Sequence, residues 1–166
     1  MLLKAMRAGL FVAALGALPA AASAQLGVDA AACRSGRPSI LVNLTHFNRR
    51  TGNIRVAVYN SPNTFLQRGQ TLRKVNVPVT PGGPMRVCIA VPQPGQYAVA
   101  VRHDVDGDNA TGDWSDGGGF SRNPSLSLLH LRPRFNDVAV SVGQGVLGVN
   151  VVLNYRSGLS IRPGNG

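Results

Sequence analysis

The sequence predicts an all-β protein, a seven-stranded antiparallel two-sheet sandwich of immunoglobulin-like or transthyretin-like kind. Three observations predict it. Short runs alternate apolar and polar residues, the period of a half-buried strand. Turn residues punctuate those runs, with 20 Gly and 11 Pro in 166 residues. Little of the chain carries the 3.6-residue apolar period of an amphipathic helix.

The strands follow in order. Ile40, Val42 and Leu44 share one face, with Asn43 and Thr45 on the other. Thr51-Gly52-Asn53 turns the chain into Ile54, Val56 and Val58, with Arg55 pointing away. Ser61-Pro62-Asn63-Thr64 caps one short helical turn. Val75, Val77 and Val79 form the third strand. Pro78 cannot donate to a ladder, which places that strand at a sheet edge. Pro81-Gly82-Gly83-Pro84 leads into Val87, Ile89 and Val91, with Cys88 on the opposite face. Pro94-Gly95 starts the fifth strand, Tyr97, Val99 and Val101. Tyr97 is either an ordinary core residue or a tyrosine corner whose hydroxyl bonds back to the loop. A Gly- and Asp-rich loop spans about 104–123, and the apolar run 126–131 fits no element. Val138, Val140 and Val142 are the sixth strand; Val149, Val151, Leu153 and Tyr155 are the seventh.

The layout predicted is a signal peptide over 1–24, a surface segment over 25–38, the sandwich over 39–156 and a flexible tail over 157–166. Lys4 and Arg7 give the leader its positive start, 8–19 its uncharged apolar run, and Ala22-Ser23-Ala24 a cleavage site before Gln25. The apolar run is short for a membrane span, so the reading is a cleaved, periplasmic or secreted protein. In such an oxidising compartment Cys33 and Cys88, the only cysteines, form a disulfide.

The chain carries +10, and +8 without Lys4 and Arg7. The basic residues are scattered and no aromatic stripe accompanies them, so they read as a solvated surface rather than a nucleic-acid site. Binding of an envelope polyanion through surface Arg is an alternative. All seven acids are Asp, and five of them, Asp104, Asp106, Asp108, Asp113 and Asp116, fall in one loop. That crowding is costly unless a cation or Arg side chains neutralise it.

Acids at alternate positions converge when the backbone wraps an ion, and Ca²⁺ takes six to eight oxygens. The candidate metal ligands are Asp104, Asp106, Asp108, the Ala110 carbonyl, Asp113 and Asp116. Asn109 stands where the EF-hand loop has Gly, and Asn tolerates the left-handed conformation. Ser115 replaces the closing Glu of that loop and strands flank it, so it is no EF-hand and its affinity is weak, about 10⁻⁴–10⁻³ M. The competing reading is a solvated acidic loop paired with Arg102 and Arg122. His103 beside Asp104 and Asp106 suggests a metal-dependent hydrolase, but no nucleophile elbow and no spare Cys accompany it.

The ordered set Tyr97-Ala98-Val99-Ala100-Val101, His103-Asp104, the Asp-rich loop, Gly119-Phe120-Ser121 and Pro133-Arg134-Phe135-Asn136-Asp137 resembles the bacterial exported family called domain of unknown function 2141. A final strand ending in Tyr155 completes the likeness, which covers about Ile40 to Tyr155. The family's H-D-x-N-x-N-G-x-x-D loop falls here on His103, Asp104, Asp106, Asp108 and Asn109, with Asp113 one residue later. A Pro-Lys-Glu stretch of that family is missing, which removes one carboxylate. The resemblance implies fold and compartment and brings no reaction. The function read from the sequence is a non-enzymatic exported module that binds an unknown protein or envelope component, with a calcium-stabilised loop.

Overall fold

The computed structural model describes residues 25–110 and 113–166. The proposed leader, 1–24, lies outside the described residues. Along the chain come β1 (Gln25–Leu26), α1 (Ala30–Arg34), β2 (Ser39–Thr45), β3 (Asn53–Tyr59), β4 (Arg73–Pro78), β5 (Met85–Ala90) and β6 (Gly95–Asp104). Then follow β7 (Gly117–Phe120), α2 (Phe135–Val138), β8 (Ala139–Val142), β9 (Val146–Val152), β10 (Asn154–Ser157) and β11 (Ser160–Pro163).

The strands make a four-stranded sheet, β1-β5-β2-β9, and a seven-stranded sheet, β11-β10-β7-β6-β3-β4 with β8 also on β6. The expected sandwich-like, all-β architecture is therefore present. Alternation explains the layer between the sheets. Ile40, Val42 and Leu44 from β2, Ile54, Val56 and Val58 from β3, and Val87 and Ile89 from β5 all point into one core. Pro78 sits on edge strand β4, where its missing N–H costs nothing.

The opposite faces are covered too. Ala57, Tyr59 and Ala98 meet Phe65, Phe135 and Val138 on the outer face of the larger sheet. Phe65 there stands edge-on to Tyr59, Phe120 and Phe135. It is held by a hydrogen-bonded turn in which Phe65 N donates to the Ser61 carbonyl. On the outer face of the smaller sheet, α1 packs Ala32 and Cys33 against Cys88.

Several elements were not foreseen. The segment 25–38, expected only as a surface segment, has regular structure: β1 pairs with β5 and α1 follows. Two pairs, β1–β5 and β2–β9, are parallel in an otherwise antiparallel fold. The last predicted strand is two. Buried Leu153 is a switch point, after which β10 joins the other sheet. The tail expected to fray instead contributes β11, paired along β10. The run 126–131 forms a turn closed by Ser127 pairing with His130.

Tyr97 is a tyrosine corner: its hydroxyl donates to the Gln93 carbonyl at 2.7 Å while its ring lies in the core. Tyr97→Phe deletes that bond and keeps the ring. It is expected to lower unfolding free energy by about 1 kcal/mol in urea titration; no measurable change would mean that water replaces the bond at no cost.

Candidate metal centre

Strand β6 ends on Asp104, and the acidic loop starts there. The turn between β2 and β3 fixes that end from the side. Thr51 Oγ1 donates to the Val105 carbonyl at 2.9 Å. Gly52, at φ 70°, lies so close that a Cβ would overlap the Asp104 carbonyl oxygen. Only a residue without a side chain fits that turn against that strand.

From this anchor the loop is organised by its own carboxylates. Asp104, nearly fully buried, accepts from Gly107 N on Oδ1 and from Asn109 N on Oδ2, both at 3.1 Å. Asp106 accepts from Asp108 N, and Asp108 from Ala110 N. Gly107 at φ 77° and Asn109 at φ 62° take the left-handed turns that this winding needs. Asp116 returns to the strand end, accepting from Val105 N at 3.1 Å and from Arg102 Nε at 3.2 Å.

Two overlapping triads result, Asp104 with Asp106 and Asp108, and Asp106 with Asp113 and Asp116. In each, one oxygen per residue lies within 4.8 Å of the other two. Oxygens about 2.3–2.6 Å from one Ca²⁺ stand up to about 5 Å apart, so these spacings suit a single ion. These acidic residues could hold a metal ion. Asp113 is the strained member. Repulsion from Asp108 above all, then desolvation and the charges of Asp106 and Asp116, raises its pKa. Its Oδ2 has no hydrogen-bond partner among the described residues.

Arginine supplies part of the neutralisation, as the competing reading required. Arg102 contacts Asp116 and lies 3.7 Å from Asp104, and its Nη2 donates to the Ala110 carbonyl, one of the expected ligands. Arg122 does not join in; it donates to the Asn136 carbonyl. The remaining acids are elsewhere, with Asp29 paired to Arg73 and Asp137 near Arg134.

His103 is turned away from the acids. It is fully buried, with Nδ1 2.6 Å from the Tyr155 hydroxyl and Nε2 2.9 Å from the Thr51 carbonyl. A carbonyl only accepts, so Nε2 carries the proton and neutral Nδ1 accepts from Tyr155. Alternation along β6 puts the ring in the core and Arg102 with the loop. Both nitrogens are occupied, so the hydrolase built on His103, Asp104 and Asp106 lacks its imidazole. Burial lowers the His103 pKa, and burial pushes that of Tyr155 up to about 12. Between its lowered folded value and about 6.5 the unfolded chain takes a proton there and the folded chain does not. Stability is therefore expected to fall as pH drops from 7 through that window. Thermal melts across pH 5–7 check it, and a flat midpoint would refute the buried neutral ring.

Gly117, Gly118 and Gly119, within the stretch read from the sequence as a Gly- and Asp-rich loop, open strand β7, and their lack of side chains admits other parts of this same chain. A Cβ on Gly117 would overlap the Tyr155 ring, and one on Gly119 the Val152 carbonyl. Trp114 was not singled out from the sequence, and Thr51-Gly52 was read there as a turn only, without its contact to the end of β6. Trp114, the chain's single tryptophan, lies between Asp113 and Asp116, and that adjacency was the available signal.

A family model described as an uncharacterised protein conserved in bacteria, DUF2141, matches residues 42–150. The chain belongs to the DUF2141 family. The DUF2141 match runs from β2 into β9 and contains the whole acidic loop; Cys33, Tyr155 and the β10–β11 hairpin lie beyond it. No curated protein and no solved structure matches the chain significantly.

Proposed function

We propose that this DUF2141 protein is an exported, non-enzymatic β-sandwich module, a binding or structural domain whose Asp-rich loop is stabilised by calcium. The observation that carries the calcium reading is the pair of acidic triads sharing Asp106, set in a loop that backbone amides already wind around Asp104. Asp104, Asp106, Asp108, Asp113 and Asp116 are the proposed ligands, and Ala110 shares its carbonyl with Arg102. Calcium relieves the repulsion that raises the Asp113 pKa. Export is supported by the leader read over 1–24, by the Cys33–Cys88 disulfide and by a bacterial family; among the described residues no helix is long and apolar enough to cross a membrane. The proposed compartment is the periplasm or beyond, where a weak calcium site fills.

The test is a thermal melt with calcium and with chelator. At about 10 mM calcium and a Kd of about 10⁻⁴–10⁻³ M, the native state gains about 1.4–2.7 kcal/mol, a rise of several degrees. Asp106→Asn, which touches both triads, is expected to remove most of that rise. A midpoint unmoved by millimolar calcium would sink the calcium reading.

A further inference from the structure

Among the described residues five arginines are half-buried: Arg50, Arg55, Arg86, Arg102 and Arg156. Three of them meet protein acceptors. Arg55 donates to Asn76 and Asn109, Arg102 to Asp116 and the Ala110 carbonyl, and Arg156 to the Gly158 carbonyl. Arg50 and Arg86 form no hydrogen bond and no ion pair among the described residues. The Arg50 Cζ lies 4.2 Å from the centre of the Phe47 ring, and its Nη1 is shut off from water without a partner. A guanidinium has five N–H donors, and a desolvated donor left without an acceptor is costly.

Both unpartnered guanidiniums line one groove, of about 490 Å³. Sheet register builds its floor. Arg86 of β5, Asn43 of β2 and Asn150 of β9 stand opposite one another in a row across the smaller sheet. Val42 and Val87, next to them in sequence, point into the core, so the row is on the outer face. On that face α1 covers Cys88 and leaves the row open. Asn43 Nδ2 donates to Asn150 Oδ1 at 2.9 Å, which leaves Asn150 Nδ2 as a free donor. Thr45 and His46 continue the wall past the end of β2. No aspartate lines the groove. Five of the seven are in the acidic loop, and Asp29 and Asp137 face Arg73 and Arg134. Gly166, at the groove's edge, pairs with neither arginine.

We propose that this groove binds a phosphate group, free or esterified, held by Arg50 and Arg86 with Asn150 Nδ2 as a further donor. Its charge selects an anion, because every ionised side chain in the lining is an arginine. Two guanidinium forks suit a tetrahedral anion with several oxygens; a planar carboxylate is satisfied by one. The groove is larger than one phosphate fills, which leaves room for the group that an ester carries. The site shares no residue with the acidic loop and does not depend on calcium.

The test is a chemical-shift titration of the folded protein, in chelator, with inorganic phosphate and with glycerol 3-phosphate, against chloride at equal ionic strength. Saturable shifts at Asn43, His46 and Asn150 are expected with the phosphates and not with chloride. Arg50→Gln and Arg86→Gln are each expected to weaken binding at least about tenfold. Arg68→Gln, exposed and outside the groove, is expected to change it less than about twofold. Arg86 projects from the outer face of the sheet, away from the core, so its variant carries the test should Arg50→Gln unfold. Tighter binding of the ester supports an attached phosphate as ligand, and tighter binding of inorganic phosphate supports the free ion. Shifts no larger than those with chloride overturn the proposal. So does binding that both groove variants retain, or that Arg68→Gln weakens as much as they do, since diffuse positive charge then accounts for it.

Discussion

Replacing both Cys33 and Cys88 with alanine is expected to lower unfolding free energy by about 4 kcal/mol, the closure entropy of a loop of this length. The bond spans 55 residues, joining α1 to the middle of β5, with Cα atoms 6.1 Å apart. Cys88 is fully buried on the outer face of the smaller sheet, and only Ala32 and Cys33 of α1 pack on it among the fully buried residues there. So small a contact does not hold a five-residue helix by itself. The constraint acts mainly on the unfolded chain, which loses the freedom to separate residues 33 and 88. The melting midpoint should fall by about 10 °C, and reduction of the native protein should reproduce the drop. The ion pair of buried Asp29 with Arg73 also holds this segment, with Ala90 N donating to Asp29 at 3.0 Å. If the double variant loses less than about 1 kcal/mol, that anchor suffices and the covalent one is redundant.

Gly52→Ala is expected to cost about 3 kcal/mol or more. Two penalties combine: a left-handed backbone at φ 70° and a methyl group overlapping the Asp104 carbonyl. The obstacle is backbone, so no side chain can rotate out of the way. Relief requires the β2–β3 turn to lift from the end of β6, which breaks the Thr51 bond to Val105 and the His103 bond to Thr51. The same movement displaces Asp104, so the calcium-dependent rise proposed above should shrink together with stability. Gly82→Ala serves as the control, since a Cβ there meets open space and the cost should stay within about 0.5 kcal/mol. Urea titration with and without calcium reads both effects; similar losses in the two variants would show that the turn yields freely.

Much of the framework was legible in the sequence because period-two alternation is a local signal. Ile40 to Leu44, Ile54 to Val58 and Val87 to Ile89 declare a buried face without reference to anything distant. Pro78 at an edge and Cys88 facing outward follow from the same logic. The misses share a different cause. β7 is Gly-Gly-Gly-Phe, a composition that reads as a loop, and it is a strand only because Tyr155 and Val152 lie where side chains would be. β1 and β11 are short segments whose partners, β5 and β10, supply the pairing that their own composition does not announce. The acidic loop was legible as a cluster, and alternation along β6 already turned His103 from it. What the sequence could not show was the lateral clamp, because Thr51 and Val105 are 54 residues apart.

The parallel pairing of β2 with β9 governs the order in which the chain can assemble. Asn43 and Asn150, opposite one another in that ladder, are 107 residues apart. The smaller sheet is thus finished by nearly the last segment synthesised, and the larger one by β10 and β11, which follow it. Contacts of such long range form slowly, after the loop-closure entropy has been met. A nascent chain threading N-terminus first through a narrow pore holds neither sheet complete until about nine-tenths of it has emerged. The β2–β9 register thereby delays closure of the smaller sheet, and it leaves Cys33 and Cys88, both far upstream of β9, free to meet before the sandwich shuts.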